Sequence, residues 1–314
     1  MRDKKLDFND LLIVPEPSSH IRSRSECVLP EVLPLFTAPM DTVINSNNMH
    51  IFKDFNICLP RLNKGLIVDE NIFYSYGIEE FEDIFLNNHH LFKKTCALID
   101  VANGHMTRVH QAVKSAKLKY GSSLNLMVGN IANPETFEIL QDCGADYVRV
   151  GIGNGGGCLT TVQTGVGYPM ASLISQCRFL KRDTKIVADG GMKSYSDIIK
   201  ALALGADFVM LGSILNRMAE SAGETVDYQG KPYKRFRGMS HKNVQEEWGR
   251  KKITTSEGID KFFPIEYTYS QWVENFKDYL RSAMSYTGCN TLEEFIGEVE
   301  MIEISSNSYN RFAK

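Results

Sequence analysis

The sequence predicts a parallel α/β protein closed as a (β/α)8 TIM barrel, on three observations. Short runs of continuously apolar or β-branched residues recur along the 314 residues, each ending in Gly, Asp or Asn. Continuous rather than alternating apolarity suits strands covered on both faces, as in parallel sheets. Between the runs lie helical patterns with their own start and stop signals, the serial β-then-α order of a parallel fold. The polar and glycine-rich strand ends are also spread over the whole chain. An open dinucleotide-binding sheet would instead show a glycine fingerprint at its first strand–helix turn, with an acidic residue about 20 further on.

The predicted strands are Pro34–Met40, Thr95–Ala102, Leu124–Ile131, Asp146–Gly153, Lys185–Gly191 and Asp207–Ser213. After the third, Asn133 is a candidate N-cap with Pro134 at the first helical position, Phe137 and Leu140 share a face, and Gly144 can stop the helix. After the fifth, Ser194 or Ser196 can cap a segment that buries Ile198, Ile199 and Leu202 and closes at Gly205. The units Gly144-Ala145-Asp146 and Gly205-Ala206-Asp207 re-enter a strand in the same way. Residues 227–264 break the repeat with a polar segment, basic at Lys242 and at Arg250, Lys251 and Lys252, and read as a long active-site flap on one barrel domain spanning 1–314. Residues 305–314 read as a mobile tail.

Composition excludes several function classes. With 43% hydrophobic and 23% charged residues the chain is neither disordered nor low-complexity. A formal net charge of -3 leaves no global basic field for nucleic acid. No uncharged apolar run reaches the roughly 20 residues of a membrane span; the best candidate, 201–215, is cut by Asp207. No apolar segment follows Met1–Lys5, so a cytoplasmic protein is expected. The seven cysteines are odd in number and form no CxxC pair, which supports neither a disulfide framework nor a zinc site. Six read as packing thiols and one, Cys158, as chemical.

Four motifs carry chemistry. The loop Gly151–Thr161 holds Gly153, Gly155, Gly156 and Gly157 directly before Cys158, which sets a thiol in a field of backbone dipoles, with the Thr160 hydroxyl nearby to relay protons. The strand ends Asp189-Gly190-Gly191 and Gly212-Ser213 come late in the barrel, where backbone N–H groups commonly hold phosphate, and Asp189 suits a pair of ribose hydroxyls. Asp100-Val101-Ala102-Asn103-Gly104-His105 closes an earlier strand, its His105 reading as an ordinary surface or capping residue rather than an acid–base group. Ser256-Glu257-Gly258 lies in the flap, a lone Glu that composition alone would call a solvated charge.

Taken in order, these segments resemble the IMP dehydrogenase / GMP reductase family over nearly the whole chain. Leu6–Leu12, Ala38–Val43, Asp100–Gly104, Gly151–Thr160, Thr164–Pro169, Ala188–Gly191, Asp207–Gly212 and Gly238–Ser240 each match one of its motifs. Within the family the chain is most similar to the reductase. No regulatory modules interrupt the barrel, the flap has Trp248-Gly249-Arg250 in place of the dehydrogenase's Asn-Arg-Tyr, and it carries Ser256-Glu257-Gly258.

The resemblance implies reduction of GMP to IMP and ammonia with NADPH, through a thioimidate on Cys158, with Thr160 and Glu257 moving protons. It implies GMP contacts at Asp189, Gly190, Gly191, Gly212, Ser213, Gly238, Met239, Ser240, Glu257 and Gly258. NADPH would meet Asp100, Val101, Ala102, Ile152, Gly153, Arg61 and the Ser282–Ser285 stretch, with Ser23 and Arg24 reaching in from a neighbouring subunit of a homotetramer. Carbonyls of Gly153, Gly155 and Cys158 would line a potassium site. The chain departs from the reductase pattern at Thr254, where Arg is usual and Lys251 or Lys252 would have to substitute, and at Leu159 and Thr161. Alternatives within the same family are an IMP dehydrogenase without regulatory modules and a reductase of a related purine nucleotide.

Overall fold

A computed structural model describes residues 4–61, 69–88, 94–247 and 255–312. Eight parallel strands form its central sheet: β1 Leu35–Thr37, β2 Ile57–Leu59, β3 Ile72–Tyr76, β4 Thr95–Asp100, β5 Leu124–Ile131, β6 Tyr147–Val150, β7 Lys185–Asp189 and β8 Phe208–Leu211. Each strand from β2 to β8 pairs with its successor, and β8 pairs with β1. The ring closes through a bridge between Phe36 and Asn56, where Thr37 N–H donates to Asn56 O at 3.0 Å and Asn56 N–H to Leu35 O at 2.8 Å. The fold is the expected (β/α)8 barrel.

The helices take the cues read from the sequence. Asn133 Oδ1 accepts from Glu135 N–H at 2.7 Å and starts the helix Pro134–Asp142, which buries Phe137 and Leu140. Between the two candidate caps of the next predicted helix the structure selects Ser194. Its hydroxyl accepts from Asp197 N–H at 3.3 Å while Asp197 Oδ2 takes Ser194 N–H at 3.1 Å, a capping box on Tyr195–Ala203. Thr107–Tyr120, Met170–Leu180 and Tyr269–Tyr286 complete the long outer helices. The paired Gly-Ala-Asp units have one physical purpose: Asp146 accepts the Leu126 amide at 2.7 Å and Asp207 the Ile186 amide at 2.8 Å. Each carboxylate thus pins the first residues of the strand before its own at the bottom of the barrel.

The floor of the barrel is aromatic. Phe36 packs on Phe73 and Phe208, with ring centroids 5.6 and 5.0 Å apart, and Tyr147 closes the group at 5.3 Å from Phe73. Two strands, β2 and β3, were not among those predicted, and no regular α-helix separates β1 from β2. The flap is more ordered than its polar composition suggests. Its ends form an antiparallel sheet of Thr225–Tyr228, Lys231–Arg237 and Asp260–Pro264. Lys234 is buried beneath it and donates to the carbonyls of Ser221 and Gly223 at 2.8 and 3.1 Å. The tail segment carries a short helix, Ser306–Phe312. Among the described residues no helix is long and apolar enough to cross a membrane.

Candidate active site

A cavity of about 1030 Å³ opens at the C-terminal ends of the barrel strands, the end where barrel enzymes place their chemistry. Cys158 lies on its wall. The loop that carries it is clipped to the flap by an antiparallel bridge: Leu159 N–H donates to Glu257 O at 2.7 Å and Ile259 N–H to Gly157 O at 3.0 Å, so Cys158 faces Gly258. Glycine is required here by proximity. A Cβ on Gly238 would fall 2.6 Å from Gly157 O and 2.9 Å from the Gly258 Cα, and one on Gly258 2.7 Å from His241 N.

This clip brings the Glu257 side chain, 97 residues further on, to two side chains of the glycine loop. The Cys158 thiol donates to Thr160 Oγ1 at 3.3 Å, and Thr160 donates to Glu257 Oε2 at 2.5 Å. The result is a continuous hydrogen-bonded path from a thiol through a hydroxyl to a carboxylate. A lone Glu in a polar loop, uninformative by itself, becomes part of the site because the flap sheet returns it to the loop it faces.

Across the cavity, Asp189 ends β7 with its Oδ2 accepting from Asn130 Nδ2 at 2.7 Å and from Arg149 Nη2 at 2.8 Å. Arg149 Nη1 donates to Asp100 Oδ1 at 2.8 Å, and Arg61 approaches the other oxygen of Asp100 at 3.6 Å. Arg149 is only 5% exposed. Burial alone would push its pKa down; the Asp189 and Asp100 carboxylates outweigh that and hold it above the ordinary arginine range. Its Nε lines no hydrogen bond among the described residues.

Arg149 and Asn130 were missed in the sequence. The signal for Arg149 was a lone charge inside the apolar run Tyr147-Val148-Arg149-Val150, which on a barrel strand points either inward at the site or at a buried partner. Asn130, in an apolar strand end, offered less.

The other predicted residues divide into two sets. Gly190, Gly191, Gly212, Ser213, Gly238, Met239, Ser240, Asp100, Val101, Ala102, Ile152, Gly153 and Arg61 all line the cavity. Gly190 packs so closely on the loop that carries Cys158 that a Cβ there would sit 2.8 Å from Gly155 N, and its φ of +87° needs glycine as well. Ser23, Arg24, Ser282 and Ser285 do not reach this cavity within one chain. Arg24 pairs with Asp278 at 3.0 Å on the outer helix Tyr269–Tyr286, and Ser282 lines a separate space of about 720 Å³.

Of the carbonyls assigned to potassium, that of Gly155 accepts the Cys158 amide at 3.0 Å. Beside them the Thr161 hydroxyl donates to Val166 O at 2.7 Å and lies against Gly153. Among the described residues no group of three or more His, Cys, Asp and Glu side chains could hold a metal. His105 is half-buried and holds backbone: its Nε2 accepts from Ala132 N–H at 3.1 Å, which leaves Nδ1 to donate to Thr136 Oγ1 at 2.8 Å. Trp248, Arg250, Lys251, Lys252 and Thr254 lie outside the described residues.

The family model described as IMP dehydrogenase / GMP reductase domain matches residues 75–311. The chain belongs to this family. Two kinds of relative share it. The inosine-5'-monophosphate dehydrogenase of Chlorobaculum parvum is 38% identical over 66% of this chain, but the match covers 45% of that protein, so the chain spans less than half the length of such relatives. The GMP reductase of Vibrio atlanticus is 29% identical over 100% of this chain and 99% of its own. GMP reductase 2 of Homo sapiens is 30% identical over 96% of this chain and 95% of its own.

Proposed function

We propose that this family member is a GMP reductase, which converts GMP to IMP and ammonia at the expense of NADPH. The observation that carries the reading is the path from Cys158 through Thr160 to Glu257. A deaminating step must deliver protons to a departing nitrogen, and a hydroxyl–carboxylate pair beside the nucleophile supplies that delivery. End-to-end similarity to proteins named GMP reductase supports the same reading.

In the proposed mechanism, Cys158 Sγ bonds to C2 of the guanine ring and the bond from C2 to the exocyclic nitrogen breaks. Ammonia leaves with protons passed along Glu257 and Thr160, and a thioimidate remains on Cys158. The chemistry that bound NADPH supplies is one hydride for C2. The carbon–sulfur bond then breaks, and the thiolate is regained as IMP leaves. Overall one hydride and two protons are consumed and ammonium is released. Covalent attachment divides one difficult substitution into two easier steps.

The remaining residues bind and orient. Backbone N–H groups at Gly190, Gly191, Gly212 and Ser213 suit the substrate phosphate, Asp189 the ribose hydroxyls, and Gly238, Met239, Ser240 and Gly258 the base. The cavity continues past Asp100, Val101 and Ala102 towards Arg61 and Gly77, room for a nicotinamide group beside the substrate. Ser23, Arg24, Ser282 and Ser285 would complete the cofactor site across a subunit interface of a homotetramer. Carbonyls of Gly153, Gly155 and Cys158 would brace a potassium ion, with Thr161 drawing residues 161–167 onto the same loop.

Incubation with GMP and NADPH should lower the absorbance at 340 nm and release ammonia in equal amount. No loss with any guanine nucleotide would sink the proposal. The dehydrogenase reading draws on the higher identity to that branch, and it predicts NADH from IMP and NAD instead. A sharper test addresses Glu257. Glu257→Gln is expected to slow ammonia release roughly 100-fold and hydride transfer much less, resolved by single-turnover quench and 340 nm traces. Equal losses in both half-reactions would remove Glu257 from the proton path.

A further inference from the structure

An ion cluster at the root of the flap takes no part in the chemistry above. Arg237 is the last residue of the flap strand Lys231–Arg237 and stands directly before the Gly238–Ser240 turn that lines the cavity. Its Nε donates to Asp41 Oδ2 at 2.8 Å, and Nη2 donates to the same oxygen. Its Nη1 and Nη2 also donate to the two oxygens of Glu247, each at 2.9 Å. Asp41 belongs to the loop after β1, and Glu247 ends the flap helix Lys242–Glu247, whose Gln245 and Glu247 face the cavity. One guanidinium therefore ties the barrel, the turn and the flap helix together.

The two arms are unequal. The Asp41 and Arg237 side chains are 11% and 12% exposed, whereas that of Glu247 is 47% exposed. Backbone adds to the inner arm, since Arg237 N–H donates to Thr42 Oγ1 at 3.4 Å and Asn216 Nδ2 bridges Thr42 O and Arg235 O at 2.9 and 2.8 Å. The outer arm is a two-point contact reachable by water, which can open while the inner arm holds. Only a planar fork serves both carboxylates; an ammonium is a point charge.

We propose that Arg237 is a positioning residue and Glu247 a latch. The Asp41 arm fixes the Gly238–Ser240 turn against the barrel, and the Glu247 arm holds the flap helix over the bound nucleotide. The catalytic consequence rests on the GMP reading of the cavity; the latch itself does not.

The test compares Glu247→Gln, Asp41→Asn and Arg237→Lys by amide hydrogen exchange over residues 238–247, calorimetric titration with GMP, and steady-state kinetics. In Glu247→Gln, residues 242–247 should exchange roughly tenfold faster, the KM for GMP should rise about tenfold, and kcat should fall less than KM rises. Asp41→Asn should lower kcat more than it raises KM, because the turn it anchors contacts Gly258 opposite Cys158. Arg237→Lys should keep the buried partner and reproduce the Glu247→Gln pattern. Unchanged exchange and unchanged GMP affinity in Glu247→Gln would overturn the latch. The same kcat and KM changes in all three variants would overturn the division of labour between the arms. If the unaltered protein neither binds nor turns over GMP, the proposed function fails while the exchange data still decide the latch.

Discussion

Cys158→Ala is expected to lower GMP turnover by at least about 10,000-fold and to leave GMP affinity within about threefold. The thiol is the one side chain positioned both on the cavity wall and at the start of the proton path, so its loss removes the covalent route entirely. Binding should survive because phosphate and ribose are assigned to backbone N–H groups and Asp189, on strand ends that do not depend on sulfur. Thr160 and Glu257 remain paired in the variant, at 2.5 Å in the parent, but have no thiol to serve. The check is kcat from the 340 nm trace together with titration of GMP; turnover within tenfold of the parent would overturn the nucleophile assignment. Intact-mass analysis with GMP alone supplies a second check, since only the parent should carry the covalent adduct.

Arg149→Met is expected to produce the largest loss of stability, about 3–5 kcal/mol. The guanidinium lies between Asp189 and Asp100, 2.8 Å from each, and side-chain exposures of 7%, 17% and 16% leave little water to replace it. Removing the cation strands two carboxylates in a poorly hydrated space above an aromatic floor. Denaturant unfolding would measure the loss. A change below about 0.5 kcal/mol would mean that solvent reaches the carboxylates freely, contrary to the packing described. Combining Arg149→Met with Asp100→Asn and Asp189→Asn should recover most of the stability, because neutral amides carry no charge to strand.

These two residues also mark how far the sequence could be read. Cys158 announced itself through its local context, four glycines and a hydroxyl within a few positions. Asn133, Pro134 and Ser194 were equally local, since a helix cap bonds to its own next turn. Arg149 was not, because what brings it to the cavity wall is a pair of carboxylates 49 and 40 residues away, at the ends of β4 and β7. Glu257 lies 97 residues from Thr160, and family resemblance, not composition, singled it out.

The fold followed the same rule. Strands β4 to β8 lie within mostly apolar or β-branched runs closed by turn residues. Strand β2 is three residues long, and β3 contains Ser75 in Ile72-Phe73-Tyr74-Ser75-Tyr76, so neither announced itself. The flap sheet was hidden by Lys234, a charge on the buried side of its strand that is satisfied only by carbonyls of Ser221 and Gly223.

The aromatic floor has a consequence for traffic. Phe36, Phe73, Tyr147 and Phe208 plug the barrel beneath the ion triad, so the way into the cavity lies at the C-terminal strand ends and not through the barrel. Two ligands enter and three products leave at that same end of the barrel on the proposed reaction. On the proposed reaction, the ammonia released at Cys158 would have to pass the occupant nearest the rim.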